Sequence, residues 1–276
     1  MGRDVSVEEL SAVVDGMRVH YRRAGDGPAL VLVHGLVGSA QNWDQNIRSL
    51  ARFRTVYALD LANMGASERV AGIDPGLEAS ADRIAACMDA LGIETADIGG
   101  HSHGGAISMM LAARHPERVR RLVLFAPANP FCDLGKPLIA FYNTRVGGWF
   151  ARSIPFLPRI VHDYAHRRMY VDKRKVTAEM LNGYTDGLNS QSIEHVLGIV
   201  RQWSADMSLL RGVLNQIAGL PTLLIWGDRD FAVGVSSGQL LAETLGARLL
   251  VIPGVGHLPF AETPEVCNQA LWEWLN

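Results

Sequence analysis

The chain has 276 residues, 48% hydrophobic and 20% charged, which suffices for one large core and excludes a disordered segment. A formal net charge of −2 supplies no basic field for nucleic acid, and no window of 18 uninterrupted apolar residues marks a membrane span. Cys87, Cys132 and Cys267 form no CxxC pair and no metal spacing, and residues 1–16 lack the apolar core of a secretory signal; free buried thiols and a cytoplasmic location are expected.

Residues 11–24, "SAVVDGMRVHYRRA", alternate apolar and polar on either side of Asp15-Gly16, the pattern of an antiparallel hairpin. "ALVLVHG" at 29–35 is nearly continuously apolar, as in a strand covered on both faces. The same character returns at 55–61, 96–100, 121–127, 222–227 and 248–254. Between these runs, 79–91, 102–115, 238–245 and 264–275 carry helical apolar spacing. Buried strands alternating with helices predict an α/β fold, a doubly wound and mostly parallel sheet of eight strands. One interval interrupts the alternation. Residues 128–207 are aromatic, basic and free of buried-strand runs, with helical spacing at 180–188 and 193–203, so a helical cap inserted after the sixth strand is expected over a core of 1–127 and 208–276. A cap there would lie above the carboxyl ends of the strands, where open sheets bind ligands.

"GGHSHGGA" at 99–106 sets Gly100-His101-Ser102-His103-Gly104 between a short strand and an amphipathic helix, the context in which G-x-S-x-G exposes a serine hydroxyl on a sharp, strained turn. The bland alternative is that the glycines serve packing and Ser102 caps a helix. Three further segments weigh against it. "HGLVGS" at 34–39 follows a buried strand and offers the amide of Leu36, beside that of His103, as oxyanion donors. "WGDRD" at 226–230 puts Asp228 and Asp230 just past a strand, where a carboxylate can orient an imidazole. "GVGHLPFAETPE" at 254–265 holds His257 in a glycine-bracketed loop ahead of the last helix.

Taken together, "GMRVHYRRAGDGPALVLVHG", "DLANMGAS", "GGHSHGGA", "LLIWGDRDFAV" and "GVGHLPFAETPE" resemble the α/β-hydrolase superfamily, in its capped, esterase-like branch. The resemblance covers nearly the whole chain. It implies Ser102 as nucleophile, His257 as general base and then acid, Asp230 as the triad acid, and Leu36 and His103 as oxyanion amides, with no cofactor and no metal. It further implies a carboxylic ester hydrolase for short to medium apolar acyl or alkyl groups, acting on a small-molecule ester as a monomer or homodimer; charge and the lack of an apolar span predict no nucleic-acid and no membrane partner. A lactonase or a carbon-carbon bond hydrolase with the same triad is the alternative, and a ligand receptor without turnover is a further one. The family's "DLPGHGxS" turn is here "DLANMGAS", Gly234 replaces a proline after the acid loop, and His103 stands where methionine or glutamine is more frequent. Serine at 102 sets the chain apart from the dehalogenases and epoxide hydrolases of this fold, which use aspartate. Leu258-Pro259-Phe260 replaces the tryptophan that carbon-carbon hydrolases usually carry soon after the histidine.

Phe131, Phe141, Trp149 and Leu258 are the candidates for the substrate pocket, since clustered apolar side chains over a cleft favour an apolar group. Several polar residues are discounted. His34 is expected to brace its loop, His101 to point away behind the turn, and the ring of His103 to be a bystander to its own amide. His162, His166 and His195 follow no metal spacing and read as surface or packing residues, and 172–175, "DKRK", as a solvated face.

Overall fold

The computed structural model describes residues 5–132, 136–185 and 187–276. Asp15 and Gly16 both take positive φ, 49° and 79°, which is the two-residue turn whose twist matches a hairpin. It joins β1 (Glu8–Val14) to β2 (Met17–Ala24) in antiparallel register, Val14 opposite Met17. β2 also runs antiparallel to β4 (Thr55–Leu59). From there the sheet is parallel through β3 (Ala29–Val33), β5 (Ala96–His101), β6 (Val119–Phe125), β7 (Thr222–Gly227) and β8 (Arg248–Ile252). The strand order is β1-β2-β4-β3-β5-β6-β7-β8, the eight-stranded, doubly wound arrangement expected from the alternation of apolar runs and helices.

The central strands are mostly apolar because both faces are covered. On one face α2 (Leu77–Ala90), α3 (His103–Arg114) and α9 (Val235–Leu245) bury Leu77, Ile107, Met110 and Leu241 against Val31, Ile98 and Leu124. On the other, α1 (Asp44–Leu50), the short α10 (Pro259–Glu262) and α11 (Pro264–Leu275) bury Ile47, Phe260 and Leu271 against Leu32, Val123 and Ile225. There the rings of Trp43, Phe125 and Phe260 meet at centroid distances of 4.3 to 5.5 Å, a rigid floor beneath the loop that carries His257. Helix α1 has no counterpart in the sequence reading: seven residues opening on a one-turn segment at Ala40–Trp43 give too few turns for its spacing to stand out.

Among the described residues five α-helices separate β6 from β7: α4 (Lys136–Tyr142), α5 (Arg145–Ser153), α6 (Arg159–Arg167), α7 (Ala178–Thr185) and α8 (Ser190–Val213). The expected boundary of a helical insertion at 207 falls inside α8. That helix starts under an Asn189 side chain that accepts the Ser192 N–H, and it runs unbroken for 24 residues. Its first half packs Ile193 and Leu197 on Ala151 of α5, whereas its second half buries Leu210 in the main core. No helix among the described residues is long and apolar enough to cross a membrane.

Candidate active site

β5 ends in a turn at Ser102, whose φ of 52° and ψ of −119° place a side-chain-bearing residue where L-residues are strained. The flanking glycines make that turn possible. A Cβ on Gly100 would sit 2.5 Å from the Ser108 hydroxyl oxygen, and one on Gly104 would collide with the His34 carbonyl. The turn is held by Ser102 N–H donating to the Phe125 carbonyl (3.1 Å) and by Ala128 N–H donating to the Ser102 carbonyl (2.8 Å). Helix α3 starts immediately after, so the His103 amide is one of the N–H groups with no partner inside the helix. Neither it nor the Leu36 amide donates to an acceptor among the described residues. Val37, next to Leu36, also takes positive φ, 59°, an outlier for a β-branched residue that keeps this loop strained against the site.

His257 meets Asp230 rather than Asp228. Its Nδ1 lies 2.7 Å from Asp230 Oδ2, and both residues are buried. Asp230 Oδ1 accepts the N–H groups of Ala232 and Val233, which fixes the carboxylate. Asp228 is turned outward and accepts the Gly254 N–H at 2.6 Å. With Nδ1 taken by the carboxylate, Nε2 is the imidazole nitrogen left for chemistry. Ser102 and His257 border one cavity, although no hydrogen bond joins them among the described residues; such bonds commonly close only when substrate is bound.

That cavity measures about 510 Å³, within the roughly 300–1,000 Å³ of sites that enclose a small ligand. Its floor is Leu36, Ser102, His257 and Leu258, and its roof comes from the helices between β6 and β7, with Ile154, Leu157, Val161, Leu188, Val196 and Val200 among the apolar contributors. Of the four pocket candidates only Leu258 lines it. Phe131 instead packs under the Arg211 guanidinium (5.1 Å) and onto the core. Phe141 is 42% exposed against Phe150, and Trp149 is 70% exposed. Helices with apolar residues on two faces give no sequence signal for which face looks inward, and here Phe150, not Trp149, faces the cavity.

Not all of the discounted histidines sit as expected. His34 does brace its loop: Nε2 accepts the Leu61 N–H at 3.0 Å, which leaves Nδ1 to donate to the Gly35 carbonyl. His101, expected to point away, lies against the site. Its Nε2 donates to the His257 carbonyl (3.0 Å), its ring is 4.8 Å from that of His257, and burial holds it neutral, its pKa well below the usual value. His162 and His166, read as surface or packing residues, line the cavity, each bonded to a backbone carbonyl in the 154–162 segment at 2.8 Å. No cluster of metal-ligating side chains is found among the described residues. Cys87 and Cys267 are buried, their thiols pushed up to about 12 by burial, whereas Cys132 is half-buried on the cavity wall.

His103 turns its ring into a separate cavity of about 20 Å³, shared with Arg83 and His195. Neither ring nitrogen has a partner among the described residues. Burial, with smaller contributions from His195 and His34, lowers its pKa to about 3, and burial with Arg83 lowers that of His195 to about 4. Both titrate near 6.5 once unfolded, so between that pH and about 3 the unfolded chain binds more protons than the folded one, and acid removes stability over that window. Urea midpoints are expected to fall steadily below about pH 6, and His103→Leu to flatten the fall; a slope unchanged in that variant contradicts the assignment.

Glu262 escaped the sequence reading. Only 1% exposed, its carboxylate accepts N–H groups from Gly256 (2.8 Å), Val171 (3.0 Å) and Asp172 (2.7 Å), while His257 N–H donates to the Met169 carbonyl (2.9 Å). One buried carboxylate thus ties the His257 loop to the segment after α6. Two of its three donors come from some 90 residues upstream, so no local pattern announces it. The "DLANMGAS" turn keeps its own anchor: Asp60 accepts from Ala40 N–H (2.6 Å) and Ala66 N–H (2.7 Å) and pairs with His20.

A strained serine after β5 and a carboxylate-bound histidine after β8 border one cavity on a doubly wound sheet, with two amides next to them in the chain or loop that meet no acceptor among the described residues, and together they define a hydrolase-type site. The family model for the alpha/beta hydrolase fold matches residues 28–264, and the chain belongs to that family. Among curated proteins it is 33% identical over 256 residues to the dihydrolipoyllysine-residue acetyltransferase component of an acetoin cleaving system from Pseudomonas putida, which covers 90% of this chain and spans 64% of that longer protein. It is 30% identical over 251 residues to 2-hydroxymuconate semialdehyde hydrolase from Pseudomonas sp. strain CF600, covering 89% and 86% of the two chains. A crystal structure of a membrane phospholipase A superposes with a TM-score of 0.80 at 26% identity, covering 98% of this chain and 86% of that one.

Proposed function

We propose that this hydrolase cleaves carboxylic esters with an apolar acyl or alkyl group through Ser102, His257 and Asp230. The observation that carries the reading is the pairing of His257 with a fully satisfied, buried Asp230 on the floor of an apolar cavity that also exposes Ser102. Ser102 Oγ attacks the ester carbonyl carbon as His257 Nε2 takes its proton, and the Asp230 carboxylate holds the imidazole in the required tautomer and stabilises its charge. The carbonyl oxygen gains negative charge beside the Leu36 and His103 amides, whose positions are fixed before the reaction by the loop and the helix start. His257 returns the proton to the departing alcohol, then activates a water that releases the acid from Ser102. His101 holds the His257 backbone, and by remaining neutral adds no second cation beside the imidazolium.

The helices between β6 and β7 act as a cap whose apolar inner surface receives the chain of the substrate. A carbon-carbon hydrolase is the second reading, favoured by the Pseudomonas sp. relative and using the same serine and histidine. The cavity's lining is mostly apolar, with Lys136, His162 and His166 as polar exceptions, and that balance favours an ester with an apolar chain over a dienoate, whose carboxylate must be desolvated there. In a panel of p-nitrophenyl esters, acyl lactones and ring-cleavage dienoates, kcat/KM for a medium-chain ester is expected to exceed that for any dienoate by at least about 100-fold. The reverse order transfers the proposal to carbon-carbon cleavage.

A further inference from the structure

The outer side of the cap is unlike the rest of the surface. Of the sixteen large apolar side chains exposed among the described residues, nine fall between 141 and 171. Val146 (68%), Trp149 (70%), Phe156 (78%), Ile160 (76%) and Tyr164 (62%) are the most open of them. They belong to α5, α6 and the turn that joins these helices, so the exposure is a property of one continuous segment. Scattered apolar residues on a surface need no explanation, whereas a concentration of this kind marks an interaction site.

Charge follows the same segment. Residues 136–175 hold nine Lys and Arg against two Asp, in a chain whose formal net charge is −2. Arg145 and Arg168, at the ends of the apolar run, are exposed. Short amphipathic helices that present Trp, Phe and Ile beside a surplus of Arg and Lys have the chemistry of elements that lie in the boundary region of an anionic bilayer. A soluble protein partner would have to bring the matching acidic and apolar surface, whereas a bilayer with anionic headgroups supplies both in sequence along its depth.

Continuity with the active site gives the surface a purpose. Phe150 and Val161 are 42% and 43% exposed, and each also lines the 510 Å³ cavity that holds Ser102. The apolar patch and the apolar cavity therefore share walls, and an acyl chain leaving a bilayer under α5 and α6 would meet apolar side chains without crossing water. We propose that the outer face of α5 and α6 docks peripherally on anionic lipid bilayers, with Trp149, Phe156 and Ile160 entering the headgroup boundary and Arg145 and Arg168 pairing with headgroup phosphates. This is attachment to a surface and not spanning, so it revises the expectation of no membrane partner that rested on the lack of an apolar span. It stands independently of which bond Ser102 cleaves.

The test is co-sedimentation of the full chain, as Ser102→Ala to prevent lipid turnover, with vesicles of phosphatidylcholine alone or with one-third phosphatidylglycerol. Anionic vesicles are expected to bind at least about tenfold more tightly than uncharged ones, with most of the difference lost in high salt. Arg145→Glu with Arg168→Glu is expected to weaken binding by on the order of tenfold or more. The triple substitution Val146→Ser, Phe156→Ser and Ile160→Ser, none of whose side chains lines the cavity, is expected to weaken it by a similar factor while turnover of a water-soluble short ester in the Ser102 protein changes less than about twofold. Absence of sedimentation, equal binding to uncharged vesicles, or binding unaffected by the triple substitution overturns the proposal. So does a stable dimer that the triple substitution dissociates, because the face would then be covered by a second copy of the chain.

Discussion

Ser102→Ala is expected to lower kcat on short p-nitrophenyl esters by on the order of 10⁶-fold while the unfolding transition stays within about 1 kcal/mol of the parent. The loss is large because no neighbouring group can replace the hydroxyl. The strand-to-helix turn presents the Ser102 side chain to the cavity, and alanine there keeps the backbone but offers no nucleophile. Stability is spared because the Ser102 hydroxyl makes no hydrogen bond among the described residues, and alanine meets the same φ of 52° with the same Cβ. His257→Ala should cost about as much, and the double substitution little more than either alone, since the two act in one proton transfer. Steady-state kinetics beside urea unfolding separate lost chemistry from lost structure. Wild-type turnover in purified Ser102→Ala would remove the serine mechanism and, with it, the ester reading.

The parts legible in the sequence were those with a local cause. Asp15-Gly16 specifies a hairpin because its two residues must take positive φ, and the central strands announce themselves because burial on both faces leaves short runs that are mostly apolar. The serine turn was readable for the same reason: backbone crowding demands glycine at fixed distances on both sides. Where position depends on residues far away, the pattern falls silent. Trp149 and Phe150 are adjacent and both aromatic, and only packing against Phe141 and the cavity decides that the second turns inward. His101 joins the site through the His257 carbonyl, 156 residues later, and Glu262 acts on donors contributed by two different loops. The boundary expected at 207 lies within α8, whose two halves pack on different clusters, and a helix that changes neighbours halfway shows no break in its spacing.

The two aspartates of "GDRD" give the sharpest discrimination, because they stand two residues apart and differ only in where the loop aims them. Asp230→Asn is expected to lower kcat by about 10⁴-fold, and Asp228→Asn by less than about tenfold. An asparagine at 230 keeps the size of the side chain, so the Ala232 and Val233 amides can still be satisfied by its carbonyl oxygen. Its NH₂ group would then face His257 Nδ1 as a donor, which favours the tautomer with the proton on Nε2, the nitrogen that must be free to accept one from Ser102. The imidazolium formed during attack would also lose its counter-charge in a buried setting where no solvent replaces it. Asp228 instead receives one backbone N–H on the outer side of the loop, a bond the amide oxygen of asparagine can accept equally well. The pH profile adds a second readout. With the carboxylate gone, the proton no longer rests on Nδ1 by default, and activity in Asp230→Asn should recover at alkaline pH, whereas Asp228→Asn should follow the wild-type curve. Equal losses in the two variants would mean that the loop, and not the carboxylate on His257, sets the rate.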